Sequence, residues 1–111
     1  MPKAVMVVWS TPASEDREDE FNTWYDEVHA RDVLDNVEGI VGCNRFKVSG
    51  VQFGEQELPG TYVAYYDIDT DDLSQIPVRF GEAFVAGKLP MSDVSVPGPI
   101  VILEPASERI S

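Results

Sequence analysis

Three residues near the end of the first quarter of the chain could carry acid–base chemistry, and they stand at helical spacing: Tyr25, His29 and Asp32. Side chains three and four residues apart are neighbours on a helix. His29 is the only imidazole in the chain, and an unperturbed imidazole titrates near neutral pH. A neighbouring carboxylate raises the pKa of an imidazole and fixes its ring, as general acid–base catalysis requires. We therefore predict that His29 is the catalytic residue, with Asp32 orienting it and Tyr25 donating a hydrogen bond to a substrate oxygen.

Each of these residues also has an ordinary structural interpretation, which the sequence leaves open. His29 could be a plain histidine bonded to Asp32, and Tyr25 could be an amphipathic residue of the core. Asp32 could instead pair with Arg31 or Arg45.

Four further residues are candidates for binding a substrate: Trp24, Trp9, Arg45 and Phe21. Arg45 could hold a carboxylate or an enolate, although a strand arginine more often pairs with an acid across the sheet. The three aromatic residues are most simply core residues, and lining a substrate cavity is the alternative interpretation.

The element that must position the catalytic candidates is an amphipathic helix over residues 18–34, which should end near Asn36. At about 100° per residue, its apolar arc contains Phe21, Trp24, Tyr25 and Val28. Asp32 lies beneath Tyr25 and Val28 in this arc, and His29 lies on its flank. An ionisable residue inside an apolar arc must be paired or neutral, which favours contact between Asp32 and His29.

Composition limits the classes of function. The chain has 111 residues, with 20 acids against 8 bases and a net charge of −12. We expect one domain over residues 1–105 and a loosely held tail over 106–111. The negative charge argues against nucleic acid and anionic membranes as partners. One histidine and one cysteine cannot supply a zinc-type ligand set, so no metal and no cofactor are expected. A single cysteine and a short apolar N-terminus favour a cytoplasmic location.

The other patterns in the sequence predict four strands and a second helix. The predicted strands cover residues 3–10, 40–49, 61–68 and 100–103, and the predicted second helix runs from Leu73 up to Gly87. Gly39 is available for a left-handed turn after the first helix, and Gly42 predicts a bulge. Pro77 predicts a kink or a break in the second helix. Residues 89–99 contain three prolines and are predicted to form a loop.

The order β-α-β-β-α-β is that of the ferredoxin-like fold, an antiparallel four-stranded sheet with both helices on one face. The strands over residues 3–10, 61–68 and 100–103 are nevertheless apolar on both faces. A second copy of the chain, related by a two-fold axis, is the simplest cover for the other face. The sequence thus predicts a homodimer.

The run E-F-N-T-W-Y-D-E-V-H-A-R-D-V-L, followed by V-E-G-I-V-G-C-N-R-F-K, resembles the dimeric α+β barrel superfamily and, within it, the EthD-like group. The motif F-N-x-W-Y-x-x-x-H-x-x-D-V-L and a strand with R-F carry the resemblance, over residues 18–47. One departure is Glu38, which stands where the group commonly has a proline. The resemblance implies that two protomers pack their sheets face to face, with a cavity between each sheet and its helices.

The resemblance also implies roles for residues. The group's helical histidine corresponds to His29, its aromatic pair to Trp24 and Tyr25, its acid to Asp32 and its strand arginine to Arg45. Activities on this scaffold include cofactor-free monooxygenases, lactone isomerases, polyketide cyclases, EthD-type dehydratases and haem-degrading enzymes.

We therefore expect a cofactor-independent enzyme acting on a small, largely apolar metabolite, such as an aromatic, lactone or polyketide-like compound. Its reaction would be isomerisation, dehydration or elimination, or cyclisation, as a lyase, an isomerase or a cofactor-free monooxygenase. Two alternatives stay open: a protein that binds or degrades haem through His29, and a non-catalytic ligand-binding or stress-related dimer.

Overall fold

The computed structural model describes residues 3–111, and its elements follow the order β-α-β-β-α-β. The strands are β1 (Lys3–Pro12), β2 (Ile40–Lys47), β3 (Tyr62–Asp69) and β4 (Ser95–Leu103). The first helical stretch comprises α1 (Glu18–Trp24), a π-helical turn (Tyr25–His29) and α2 (Ala30–Asn36), after a 3-10 turn at Glu15–Arg17. The second helix is α3 (Gln75–Val85).

The four strands form one antiparallel sheet in the order β2-β3-β1-β4. Alternate residues of the two central strands, such as Met6, Ala64, Tyr66 and Ile68, are buried in the core together with residues of both helices. This is the predicted ferredoxin-like fold, with a four-stranded sheet and two helices on one face.

The π-helical turn sets which side of the first helical stretch is buried. Four buried residues follow one another at intervals of four: Phe21, Tyr25, His29 and Val33. In a continuous α-helix of 3.6 residues per turn, such a row would drift by about 120° over its length. The backbone N–H of Ala30 donates to the carbonyl of Tyr25, five residues back, and this extra residue reduces the drift to about 20°.

The predicted arc was therefore wrong after Tyr25. Val28, which was placed inside it, is 41% exposed, whereas His29, which was placed on the flank, is buried. Asp32 is only half-buried at the edge of the helix. The physical reason is the π-helical turn, which rotates all later residues by about one position.

Both predicted glycine features are confirmed. Gly39 has a φ of +100°, which a residue with a side chain rarely adopts, and it leads out of α2 into β2. The pairing of β2 with β3 shifts register between Ile40 and Gly42, which is the expected bulge.

Two other expectations were wrong. Pro77 lies in the first turn of α3, where its missing N–H would have no helical partner, so the helix is not broken. The last strand begins at Ser95 rather than Ile100, and it includes Pro97 and Pro99. Because β4 is an edge strand, it has one side without ladder hydrogen bonds, where prolines are tolerated.

The outer face of the sheet, which lies opposite the helices, is largely apolar, although Asn44 and Asp67 also lie on it. Its residues include Val5, Val7, Phe46, Val63, Val101 and Leu103. Phe46, Val101 and Leu103 are each about half exposed, at 55%, 44% and 49%. Among the described residues, no helix is both long and apolar enough to cross a membrane.

Candidate functional site

A cavity of about 280 Å³ lies between the sheet and the helices. Aromatic and aliphatic side chains form most of its wall, and the lining residues with a hydroxyl or imidazole group are His29, Tyr25, Tyr66, Ser10 and Ser95. Within residues 3–111, the lining includes no aspartate, glutamate, lysine or arginine. In a chain in which a quarter of the residues are charged, an uncharged cavity favours uncharged ligands, because a charged group loses its hydration there without gaining an ionic partner.

His29 is held in this wall by aromatic side chains. Its ring stacks on the indole of Trp24, with centroids 4.7 Å apart and an interplanar angle of 16°. Tyr25 meets it edge to face, with centroids 5.1 Å apart and an angle of 83°. The imidazole is 6% exposed, and its Nδ1 is a buried polar atom with no hydrogen-bond partner among the described residues. Packing, rather than a carboxylate, therefore orients the ring.

The expected pair between His29 and Asp32 is absent from the described part of the chain. The ion pairs found there do not join Asp32 to His29, Arg31 or Arg45. Burial lowers the pKa of His29, and the charge of Asp32 opposes this lowering only in part. The expectation of a raised pKa was therefore wrong, because desolvation penalises the imidazolium more than a carboxylate without direct contact stabilises it. A neutral imidazole at neutral pH is ready to accept a proton.

Tyr25 and Tyr66 bring two phenol hydroxyls to the cavity. The Tyr66 hydroxyl donates to the Tyr25 hydroxyl at 3.4 Å, which is longer than the usual 2.5–3.0 Å for such a bond. Burial raises the pKa of both phenols, so both carry their protons at neutral pH. A loosely joined pair of this kind retains capacity to donate to a ligand oxygen.

Arg45 does not line the cavity but packs on the other side of Tyr25. Its guanidinium carbon lies 4.4 Å from the centroid of the Tyr25 ring. Its Nη1 donates to Asp26 Oδ1 at 2.7 Å and its Nη2 donates to Asn22 Oδ1 at 2.9 Å. Arg45 thus pairs with an acid, but this acid is Asp26 of the π-helical turn rather than a residue across the sheet.

Arg45 also borders a separate polar groove of about 500 Å³ between β2 and the first helical stretch. Lys47 and Arg31 share this groove. Two of these three cations are neutralised, because Arg45 pairs with Asp26 and Lys47 pairs with Glu18 at 2.9 Å. The groove therefore carries little net positive charge for an anionic ligand.

The structure separates the other predicted site residues. Trp24 and Trp9 border the cavity. Phe21 is fully buried in the core, where it packs against Tyr25 and Tyr62 with centroids 5.8 and 5.1 Å apart, and it does not line the cavity.

Sequence reasoning missed Tyr66 and the part of the wall that α3 and the following loop supply. Alternation along β3 places Tyr62, Ala64 and Tyr66 on the helix-facing side, so the strand pattern could have identified Tyr66. The contributions of Phe80, Phe84, Leu89 and Met91 depend on how α3 packs opposite the first helical stretch, which no local pattern encodes.

His29 is also the residue that could ligate a metal or a haem iron. Residues 3–111 contain no cluster of three or more His, Cys, Asp or Glu side chains suited to a metal. The cavity is just below the range of about 300–1,000 Å³ of most ligand pockets, and haem is a large ligand whose propionates need polar or cationic partners. The donor set and the size of the cavity therefore do not fit haem.

No family model matches the chain, and no curated protein matches it in sequence. Solved structures similar to it include the following two. The crystal structure of HapK from Hahella chejuensis has a TM-score of 0.64 and 14% identity, over 97% of this chain and 97% of that chain. The crystal structure of an ethyl tert-butyl ether d (EthD) family protein from Bacillus halodurans has a TM-score of 0.51 and 18% identity, over 95% of this chain and 99% of that chain. At these identities the similarity shows a shared fold, and the predicted EthD-like fold is confirmed.

Proposed function

We propose that the protein is a cofactor-independent enzyme that acts on a small, uncharged, largely apolar metabolite, such as an aromatic, lactone or polyketide-like compound. The observation that carries the proposal is the uncharged cavity with a single buried imidazole, His29, beside the hydroxyls of Tyr25 and Tyr66. The fold shared with an EthD family protein supports it.

The size and the wall of the cavity define the substrate class. A volume of about 280 Å³ suits one or two fused rings with short substituents. Flat aromatic side chains such as Trp24 and Phe80 suit a planar ligand. A few polar atoms in an apolar wall fix the orientation of such a ligand, as in most small-molecule sites.

The chemistry that these residues support is proton transfer. Neutral His29 takes a proton from a ligand O–H, or from a C–H next to a carbonyl, and the electron pair of that bond moves to the ligand oxygen. Tyr25 donates a hydrogen bond to this oxygen. Return of the proton to another atom gives isomerisation, and its delivery to a leaving hydroxyl gives dehydration; addition of the carbanion to a second carbonyl gives cyclisation.

The proposal includes a homodimer formed through the outer face of the sheet. Phe46, Val101 and Leu103 are half-exposed there, on strands of both edges and next to the buried Val7 and Val63. Half-exposed apolar side chains grouped on one face of a sheet favour an interaction surface. Face-to-face packing of two sheets would cover it.

The cavity bears on the two alternative functions. A non-catalytic dimer would be expected to fill its interior and to satisfy its buried polar atoms, whereas Nδ1 of His29 has no partner among the described residues. The haem alternative has no specific observation in its favour.

The test begins with binding. Uncharged aromatic ketones, lactones and phenols are titrated into the protein, together with carboxylates of matched size, and tryptophan fluorescence is followed because Trp9 and Trp24 both border the cavity. We expect the uncharged compounds to bind and the carboxylates not to bind. Compounds that bind are then assayed for turnover, which His29→Gln should reduce by about 10²- to 10⁴-fold. Preferential binding of the carboxylates, or equal turnover by the variant, would contradict the proposal.

A further inference from the structure

We infer that Tyr25 donates a hydrogen bond to an oxyanion in the cavity. Arg45 from outside the cavity and Tyr66 from within it make the Tyr25 hydroxyl a stronger donor, so that the site holds the conjugate base of a weakly acidic phenol or enol. This inference rests on the proposed function and deepens it. It assigns a positioning role to Arg45 and Tyr66 and names the class of ligand.

The first observation is the placement of Arg45. Its guanidinium lies over the face of the Tyr25 ring, 4.4 Å from the centroid, and its side chain is only 13% exposed. Two short hydrogen bonds, to Asp26 and Asn22 of the first helical stretch, fix it there. A fixed and partly desolvated cation over a ring stabilises negative charge that develops on that ring and its hydroxyl. Arg45 therefore makes the Tyr25 hydroxyl a stronger hydrogen-bond donor without contacting a ligand.

The second observation is independent of the first. The Tyr66 hydroxyl donates to the oxygen of Tyr25, which leaves the proton of Tyr25 free to donate into the cavity. Donation into a hydroxyl oxygen makes that hydroxyl a better donor in turn, because hydrogen bonds in a chain polarise one another. Both neighbours thus act on Tyr25 in the same direction, and both oppose the effect of its burial.

The charges around the cavity determine the form in which the ligand enters. The chain carries a net charge of −12, and its field repels anions from solution. A neutral phenol or enol meets no such barrier. Inside, its O–H bond breaks, the proton forms an N–H bond on His29, and the electron pair stays on the ligand oxygen facing Tyr25. The step conserves atoms and electrons and needs no oxidant or reductant.

The probe for the experiment is 4-nitrophenol, because its anion absorbs visible light and its neutral form does not. Titrations at a pH at which the free probe is neutral give its affinity, and the visible absorbance of the bound probe gives the ratio of anion to neutral form in the site. The variants are Tyr25→Phe, Tyr66→Phe, Arg45→Gln and Arg45→Lys. The matched control is Lys47→Gln, which removes a cation that lies over the ring of Tyr62 at 5.8 Å, outside the cavity.

We expect the neutral probe to bind, and part of it to absorb as the anion once bound at a pH where the free probe is neutral, because its proton moves to His29 and the resulting ion pair carries no net charge. Tyr25→Phe should abolish the anion signal, and Arg45→Gln or Tyr66→Phe should lower the ratio of bound anion to bound neutral form by roughly three- to tenfold. Arg45→Lys keeps the charge and should retain part of the anion signal, whereas Lys47→Gln should leave it unchanged. Asp26→Asn should raise the ratio, because it removes the charge that compensates Arg45 and its exposed position makes the variant easy to fold.

The failures are distinguishable. If 4-nitrophenol binds but none of the four variants at Tyr25, Tyr66 and Arg45 changes the ratio, the tuning of Tyr25 is wrong and the proposed site survives. If neither form of the probe binds, both the inference and the proposed site are overturned. If Arg45→Gln does not fold, an unchanged ratio in Asp26→Asn and Tyr66→Phe overturns the inference by itself.

Discussion

The imidazole of His29 lies nearly parallel to the indole of Trp24, with ring centroids 4.7 Å apart. The indole covers one face of the imidazole, and the edge-to-face contact with Tyr25 covers part of the rest. Aromatic packing thus replaces the carboxylate that commonly orients a catalytic histidine. The consequence is a base whose orientation is fixed but whose charged form is disfavoured.

The first prediction concerns the titration of this imidazole. Because burial lowers the pKa of His29, its NMR titration midpoint should lie below the unperturbed value of about 6.5. Asp32→Asn should lower the midpoint slightly further, since the charge of Asp32 raises the pKa of His29. A midpoint above the unperturbed value would show that a stabilising partner outweighs burial.

The second prediction is the effect of this shift on stability. Because the pKa of His29 is lower in the folded chain than in the unfolded chain, the unfolded chain binds the proton first as pH falls. The contribution of His29 is therefore fully present above about pH 6.5 and is lost as pH falls toward the folded pKa. Urea unfolding at about pH 7.5 and about pH 5.5 should show a larger loss for the native chain than for His29→Gln. The His29→Gln variant is the control, because protonation of the carboxylates lowers the stability of both proteins alike. Equal losses of unfolding free energy in the two proteins would contradict the prediction.

Local patterns predicted most of the fold and part of the site. The period of two in the strands, the period near 3.6 in the helices and the glycine at Gly39 are local features, and they gave the element order and the sheet. The alternation of β1 and β3 also indicated that both faces of the sheet are apolar. These features depend on neighbours along the chain, which the sequence displays directly.

The relation between His29 and Asp32 could not be predicted in the same way. The predicted contact between these two residues assumed an unbroken α-helix. The π-helical turn at Tyr25–His29 instead places His29 in the core and Asp32 at the edge of the helix. A π-helical turn forms where the packing of both ends of a helical stretch requires an extra residue. In a single sequence its only sign is a row of core residues spaced by four. The place of Arg45 on the outer side of Tyr25 likewise depends on tertiary packing between β2 and α1.

The third prediction is the dimer. Light scattering should give twice the mass of the chain at micromolar concentration. The interface should bury roughly 2,000 Å² or more of surface in total, as in obligate pairs. Val101→Asp should produce monomers because it places a charge on the outer face of the sheet. Val85→Asp is the matched control, since Val85 is an exposed residue of α3, away from this face. A stable monomer of the native chain at these concentrations would contradict the proposed dimer.

The fourth prediction separates Phe21 from the ligand site. Phe21 is fully buried and does not line the cavity, so Phe21→Ala should cost about 3–5 kcal/mol in the free energy of unfolding. The milder Phe21→Leu should keep the fold and bind 4-nitrophenol as the native chain does. A large loss of probe affinity in a folded Phe21→Leu protein would place Phe21 back in the site.

The last prediction concerns the π-helical turn, and it can be tested by deleting one residue. Three consecutive exposed residues, Asp26, Glu27 and Val28, separate the buried Tyr25 from the buried His29. Deletion of Glu27 should convert the turn to ordinary α-helix while both flanking helices keep their packing. We expect the free energy of unfolding to stay within about 1 kcal/mol of the parent value.

Deletion of Arg31, an exposed residue of α2 where the helix is regular, is the control. It should rotate the helix by about 100° and remove either His29 or Val33 from the core, with a loss of about 1.5–3 kcal/mol for each apolar side chain exposed. Urea unfolding measures both effects, and an NMR titration of His29 in the Glu27 deletion shows whether the imidazole keeps its buried environment. If the two deletions were equally damaging, the extra residue of the π-helical turn would not be what aligns Tyr25 with His29.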